Sequence, residues 1–487
     1  MGVPSNYPIE PKIVWDQFFQ ISQIPRPSKK EEKIRGHIEK LAQDNGRQYK
    51  IDSAGNIVVY VPATPGKEGH KSVIIQNHMD MVCDAIPDLG FDFDNDPIEL
   101  EVKGDWLCAK GTTLGADNGI GMAAAAAFIV DTDHPHPALE LLFTSDEETG
   151  LHGANGLDAS MLSGKYLINL DTEEWGSFYI GCAGGVDYNL RRTWERVQAS
   201  SGARAYDLIF KGACGGHSGI DIHRQRANAI VVLSQVMSSA KKSGIHFSIS
   251  SFDGGKAHNI IPRQCSAGLF IDEKNLDVLH GFLRGEMERL STYLPEEDGN
   301  FDLLLQKSDA ADEKVLSESD GTSLLNLLAI FPHGAHSFVM KSDETLVSLS
   351  NNLAIFKLEN GELHINTSLR FFDQNELAGL KNRVESLAST FGLDLEESGG
   401  YPSWKPDYDN SLLDLAKSLY KKQYGHDPDV RAIHAGLECG ILLEKIGKMD
   451  SISFGPTITG AHSPSEQVKI GDVKLMWELL LSLLDSL

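Results

Sequence analysis

The chain has 487 residues, roughly three times the ~150 residues of a usual domain, so two or three domains are expected. Its 41% hydrophobic and 23% charged residues are ordinary globular usage and exclude a disordered or fibrous protein. The charge balance, 44 − 69 = −25, repels phosphate backbones, which excludes nucleic acid as a natural partner and favours cationic ligands such as metal ions.

The first 180 residues alternate helix and strand signals. Ile13–Ile24 carries a helical apolar face that Pro25 and Pro27 break. Ser28 then reads as the cap of a second helix, with Glu31 completing a capping box and Ile34, Ile38 and Leu41 as its buried stripe. Gly46 closes that helix. Strand-like runs follow at Asn56–Val61, Ser72–Gln76, Leu139–Thr144 and Tyr166–Leu170, with an alanine-rich helix at Ile120–Val130. Such alternation predicts an α/β layer fold. The glycine-rich run at 181–185 reads as a hinge, and Gly399-Gly400 as its counterpart. The intervening segment has another texture, with two weakly similar halves. Tyr206–Phe210 and Ser266–Ile271 read as strands around a helix Asn228–Ala240. Thr345–Leu349, Leu353–Leu358 and Glu362–Phe372 read as strands before a helix Glu376–Thr390. An acidic, serine-rich patch spans Ser308–Ser323. Beyond Gly400 the first texture returns, with Leu412–Tyr424, Ser451–Phe454 and Val473–Leu484. The expected organisation is a discontinuous α/β domain, 1–185 plus 400–487, with a mixed, mostly parallel sheet flanked by helices. An α+β domain is inserted at 186–399.

The six cysteines form no CxxC pair and are too sparse for a disulfide framework, which points to a reducing compartment. The N-terminus carries no signal-peptide pattern. The longest apolar run, Ile120–Val130, falls far short of the ~20 residues that span a bilayer. A cytoplasmic protein without membrane partners is the expectation.

Polar clusters stand where the apolar runs end. Ser72–Gln76 leads into Asn77-His78-Met79-Asp80. Leu139–Thr144 leads into Ser145-Asp146-Glu147-Glu148-Thr149-Gly150. Tyr166–Leu170 leads into Asp171, and Ser451–Phe454 runs on to His462. Asp117 precedes the alanine-rich helix. Open α/β sheets bind ligands beyond the carboxyl ends of their strands. Two histidines with several carboxylates and no cysteine suit a hydrolytic zinc, manganese or cobalt site. Each cluster alone has a plainer reading, as a surface ion pair, a solvated charge run or a turn. A rival exists too: Gly119-Ile120-Gly121-Met122-Ala123-Ala124 has the outline of a dinucleotide fingerprint. Asp117 would crowd its phosphates, and the rival leaves His78, Asp80 and His462 unexplained.

In order, His78-Met79-Asp80, Gly115-Ala116-Asp117-Asn118-Gly119, Asp146-Glu147-Glu148-Thr149-Gly150, Asp171 and His462 resemble the motifs of the co-catalytic dizinc metallopeptidases related to carnosinase, aminoacylase and carboxypeptidase G. The resemblance covers essentially the whole chain. It implies that His78 and Asp171 complete one metal site and Glu148 and His462 the other, with Asp117 bridging. Two divalent ions would be held, zinc foremost, with cobalt or manganese able to substitute. Asp80 would steady the ring of His78, and Glu147 would act as general base on a water shared by the metals. The peptide bond after Asp117 would be cis. The inserted domain resembles the family's lid. There His217 in Gly215-Gly216-His217-Ser218-Gly219 would stabilise the oxyanion, while Asn259 and Arg370 would contact substrate and Gly436 would offer it backbone. Segment 434–440 and the lid's size resemble a branch that cleaves unblocked dipeptides, Xaa-His among them. A deacylase or carboxypeptidase on the same scaffold is the nearest alternative. The lid could also support a homodimer, with His217 serving its own chain or a partner's.

Overall fold

A computed structural model describes residues 3–308, 313–339 and 346–487. The chain forms two compact units: residues 1–182, 404–432 and 437–487 make the first, and residues 183–403 and 433–436 the second.

The first unit is built on an eight-stranded mixed sheet. Its order is Gln48–Ile51, Ile57–Val61, Leu139–Thr144, Val73–His78, Tyr166–Asn169, Asp450–Ser453, Ser177–Cys182, Asp429–Ile433. Parallel pairing joins the four strands from Leu139–Thr144 to Asp450–Ser453, and the bonds from Asp429 N–H to the Gly176 carbonyl and from Ala183 N–H to the Ile433 carbonyl run Ser177–Cys182 and Asp429–Ile433 in the same direction. The first two pairs, and that of Asp450–Ser453 with Ser177–Cys182, are antiparallel, so the sheet is mixed and mostly parallel, as expected. Val73–His78 and Leu139–Thr144 are buried at every residue, as strands covered on both faces must be. The helices Lys12–Ser22, Glu32–Asp44, Ala116–Val130, Ser411–Tyr424 and Ile470–Ser486 supply the cover through one continuous apolar core.

One sequence reading needs correction here, and the rival reading of the glycines falls. Ser28 does not cap the second helix; the helix starts at Glu32, behind Glu31, with no side-chain cap, and Ser28 bonds elsewhere. The glycines near 119–121 do not form a phosphate-binding turn. They lie inside the Ala116–Val130 helix, where a Cβ on Gly121 would sit 2.7 Å from the Leu170 carbonyl oxygen. Close packing, not a dinucleotide, explains them.

The second unit is built on a nine-stranded antiparallel sheet, eight of whose strands run in the order Asp302–Lys307, Ala203–Lys211, Gln264–Asp272, Ser248–Gly254, Leu346–Glu359, Glu362–Phe371, Gly184–Thr193, Asp394–Tyr401, with Gly334–Val339 added beside Leu346–Glu359. Numbered along the chain, the strands between 203 and 307 lie 4-1-3-2. The remaining four repeat 4-1-3-2 from the opposite edge. Each half carries a helix between its third and fourth strands, Glu273–Ser291 and Gln374–Phe391. The halves join where Ser248–Gly254 pairs with Leu346–Glu359.

Further readings change in this unit. The two strands expected around residues 345–358 are one, Leu346–Glu359, with a bulge between Leu353 and Ile355; Thr345 lies outside the described residues. Of the acidic patch, residues 309–312 also lie outside them, while Glu318–Ile330 is a helix capped by Ser317. The glycine-rich run at 181–185 is mostly strand, ending Ser177–Cys182 and beginning Gly184–Thr193. Glycine is needed there because Pro406 crowds Gly181, and Tyr401 crowds Gly184 and Gly185.

Candidate metal centre

The four parallel strands of the first unit end on one edge, and a polar ladder aligns them just before it. Gln76 Nε2 donates to Thr144 Oγ1 at 3.2 Å, Asn169 Nδ2 donates to Gln76 Oε1 at 2.5 Å, and Ser453 Oγ donates to Asn169 Oδ1. Beyond the ladder lie His78, the 145–153 turn, Asp171 and the loop carrying His462. These are the strand ends where an open α/β sheet presents ligand groups.

Asp117 stands between the two histidines. His78 Nε2 lies 3.1 Å from Asp117 Oδ1 and 3.3 Å from Asp171 Oδ1. His462 Nε2 lies 3.1 Å from both Asp117 Oδ2 and Glu148 Oε2. Two overlapping groups result, His78/Asp117/Asp171 and Asp117/Glu148/His462, each with its donor atoms within 4.8 Å of one another. The donors are nitrogen and oxygen, and Glu148 Oε1 is buried without a hydrogen-bond partner. These residues fit a pair of divalent cations sharing one carboxylate. Electrostatics agree. Burial opposes charge on His78, yet Asp171, Asp117 and Asp80 hold its ring protonated well above the ordinary range. Hydrogen bonds donated to the Asp117 and Glu148 carboxylates push His462 up to about 11. The spot favours positive charge.

The supports are mostly distant in sequence. Asp80 is fully buried; it accepts Ser28 Oγ at 2.8 Å and the backbone N–H groups of Glu147 and Glu148 at 3.0 and 3.2 Å. Its Oδ1 also lies 3.3 Å from His78 Nδ1, though that nitrogen makes no well-aligned bond. Burial alone would raise Asp80, but His78 and the Glu147 N–H outweigh it and hold it at about 2. One carboxylate thus ties the imidazole to the turn that bears Glu147 and Glu148. That turn is tight at Asp146, with φ +46°, and at Gly150. Glu147 lies with His78 and Glu148 in a third group of donors. Burial, then Asp171, Glu148 and Glu438, raise its carboxyl well above the usual range against the pull of His78.

Sequence reasoning missed several contributors. Glu466 accepts the N–H groups of Leu114, Gly115, Ala116 and Asp117 at 2.7–3.2 Å, fixing the entry to the helix that presents Asp117. Buried Arg26 donates to the carbonyls of Met79, Asp80 and Gly115. The Asp117–Asn118 peptide, by contrast, is cis as the resemblance implied. Glu438 accepts Thr144 Oγ1 at 2.6 Å and Gln76 Nε2 at 2.5 Å, and burial pushes it up to about 8.

The other candidates lie in the second unit. His217 pairs with Ile260 in a short ladder, and its Nδ1 accepts the N–H groups of Gly219 and Ile220 at 3.2 Å each. Burial and then Arg370 hold it down at about 4, so the ring is neutral with its proton on Nε2. The Asn259 carbonyl accepts Ser218 N–H at 2.8 Å. Arg370 is 6% exposed, donates Nη1–H to Tyr401 Oη at 2.8 Å and has no carboxylate partner among the described residues. Gly436 lies against the Tyr401 ring. His134 and His258 pair instead with Asp131 and Asp187, as structural histidines do.

Comparison with known proteins agrees with this chemistry. The model of peptidase family M20/M25/M40 matches residues 74–486. The cytosol non-specific dipeptidase of Escherichia coli (strain K12) is 36% identical over 481 residues, 98% of each chain. The crystal structure of aminoacylhistidine dipeptidase from Vibrio alginolyticus superposes with a TM-score of 0.89 at 36% identity, over 98% of this chain and 97% of that one. Aminopeptidase PepT from Bacillus cereus, at 16% identity over 97% and 98% of the two chains, shares the fold with a TM-score of 0.55.

Proposed function

The chain belongs to peptidase family M20/M25/M40, and on that premise we propose that it hydrolyses the peptide bond of unblocked dipeptides, Xaa-His among them. The observation that carries this reading is Asp117 set between two histidine–carboxylate pairs at the ends of parallel strands. His78, Asp117 and Asp171 would hold one divalent ion; Asp117, Glu148 and His462 would hold the other. Zinc is the ion proposed, with cobalt or manganese able to substitute. Bound there, such ions polarise the scissile carbonyl and make a water easier to deprotonate. Glu147 takes the proton of the attacking water and returns it to the leaving amine. Asp80 keeps the His78 ring and the Glu147 backbone in place during that transfer. His217 offers its Nε2–H to the developing oxyanion, a contact worth about 3–4 kcal/mol in such sites. Arg370 takes the substrate's terminal carboxylate, with Asn259 as a further substrate contact. A guanidinium suits a planar anion better than an ammonium does.

Catalysis is assigned to the discontinuous first unit and substrate selection to the second. Six unpaired cysteines suit a reducing cytoplasm, and among the described residues no helix is long and apolar enough to cross a membrane. The second unit exposes Val278, Tyr293 and Ile330, apolar surface that suits a homodimer, to be read by sedimentation. The decisive experiment combines metal analysis with rates on an Xaa-His dipeptide, its C-terminal amide and its N-acetylated form. About two metals per chain and fastest cleavage of the free dipeptide are expected. Fastest cleavage of the acetylated form would replace this reading with a deacylase.

A further inference from the structure

We propose that Tyr401 is the residue that aims Arg370 at the substrate's carboxylate, and that Gly185 and Gly436 act through Tyr401 by making room for its ring. The inference rests on the reading of Arg370 given above.

The argument starts from register. Gly185 lies opposite Arg370 in one neighbouring strand and opposite Tyr401 in the other. The three residues form one row across the sheet, with Arg370 and Tyr401 two strand spacings apart, roughly 9.5 Å. Side chains that far apart meet only if the residue between them carries none. Gly185 meets that condition, and the Arg370 guanidinium reaches Tyr401 Oη at 2.8 Å. A Cβ on Gly185 would lie 2.8 Å from the Tyr401 ring. A Cβ on Gly436, which comes from another part of the chain, would also lie 2.8 Å from that ring. The phenol is therefore confined by two glycines, and their role is legible without any direct contact to substrate.

Chemistry explains why a phenol stands there. Arg370 is a nearly buried cation, and among the described residues its other side-chain hydrogen bond goes to Ser218 Oγ, 3.5 Å from Nε. A buried charge needs polar partners. A carboxylate in place of Tyr401 would neutralise the guanidinium and compete with the incoming anion. The phenol oxygen satisfies one N–H, leaves the charge uncompensated, and restricts a long side chain before the ligand arrives. Such preorganisation raises affinity by lowering the ordering cost of binding.

The test uses the metal-loaded full-length enzyme, one dipeptide and its C-terminal amide, with kcat and KM measured separately and folding checked by thermal unfolding. Arg370→Met should collapse the preference for the free acid. Tyr401→Phe, which keeps the ring in its slot, should lower kcat/KM for the acid about tenfold to a hundredfold, mainly through KM, and change amide hydrolysis far less. Gly436→Ala should do the same by displacing the ring, and combining it with Tyr401→Phe should add little. If Arg370→Met collapses the preference and Tyr401→Phe preserves it, the Tyr401 inference fails while the Arg370 reading stands. If Arg370→Met preserves it, both fail. If Gly436→Ala slows acid and amide alike, Gly436 touches substrate directly and its part in the inference is lost.

Discussion

Each unit sets histidines beside buried charge, and the sign beside them differs. In the first, Asp117, Asp171, Glu147 and Glu148 crowd two histidines, and the carboxylates draw positive charge onto both rings. In the second, the guanidinium of Arg370 stands near two histidines that stay neutral: His217 is held at about 4 and His434 at about 3, by burial first and by Arg370 next. The same residue type, histidine, is thus a cation in one place and a neutral hydrogen-bonding group in the other. Burial disfavours charge in both cases, and the sign of the neighbours decides which side wins.

The comparison can be broken most severely at Asp117. Asp117→Ala should remove both metals and all measurable turnover while the second unit's arginine is untouched; metal retained by that variant would refute the shared-carboxylate geometry. Glu147→Gln sharpens the same side. It should keep the metal content and lose about 10²–10⁴-fold in kcat. Turnover close to wild type would mean the base lies elsewhere. Glu466→Gln comes next. It removes a buried charge that four backbone N–H groups share, so unfolding stability should fall by about 1–3 kcal/mol and metal should dissociate more readily. An unchanged melting temperature and metal affinity would show that the Asp117 loop holds itself. The smallest effect tests the second unit. His217 and His434 have folded values below the usual 6.5, so the unfolded chain binds more protons than the folded one between roughly pH 4 and 6.5. Their contribution to stability is present above that window and is lost as pH falls through it. His434→Gln should flatten that part of a urea-unfolding profile against pH; an unaltered slope would mean His434 titrates normally.

The candidate metal cluster was legible because His78, Glu148 and Asp171 come just after apolar strand-like runs, while the place of Asp117, before a helix, and the pairing of the ligands came from the family resemblance. Its supports were not, because they act across long separations. Ser28 with Glu31 has the spacing of a local cap, yet Ser28 bonds Asp80, 52 residues away. Glu466 reaches back 349–352 residues to four N–H groups, and no local pattern marks such a carboxylate. Tyr401 follows two glycines and precedes Pro402, a composition that reads as a linker. The glycines at 184 and 185 read as a hinge for the same reason, since a residue chosen for close approach and one chosen for flexibility look alike in sequence. The single strand Leu346–Glu359 was divided in two at Ser350-Asn351-Asn352, a polar run that lies buried within the strand because Asn351 and Asn352 donate to backbone carbonyls.

The discontinuity of the first unit has a consequence during synthesis. Ser453 pairs with Asn169, 284 residues earlier in the chain. At translation rates of about 5–20 residues per second, the Tyr166–Asn169 edge would wait roughly 15–60 s for its neighbour to leave the ribosome. The second unit, residues 183–403 and 433–436, is encoded entirely within that interval. A nascent chain would therefore carry a nearly complete second unit while the first still presented an open strand edge, the kind of surface that recruits other chains. Truncation before residue 450 should convert that passing state into a permanent one, and such fragments are the ones expected to depend on chaperones or to aggregate.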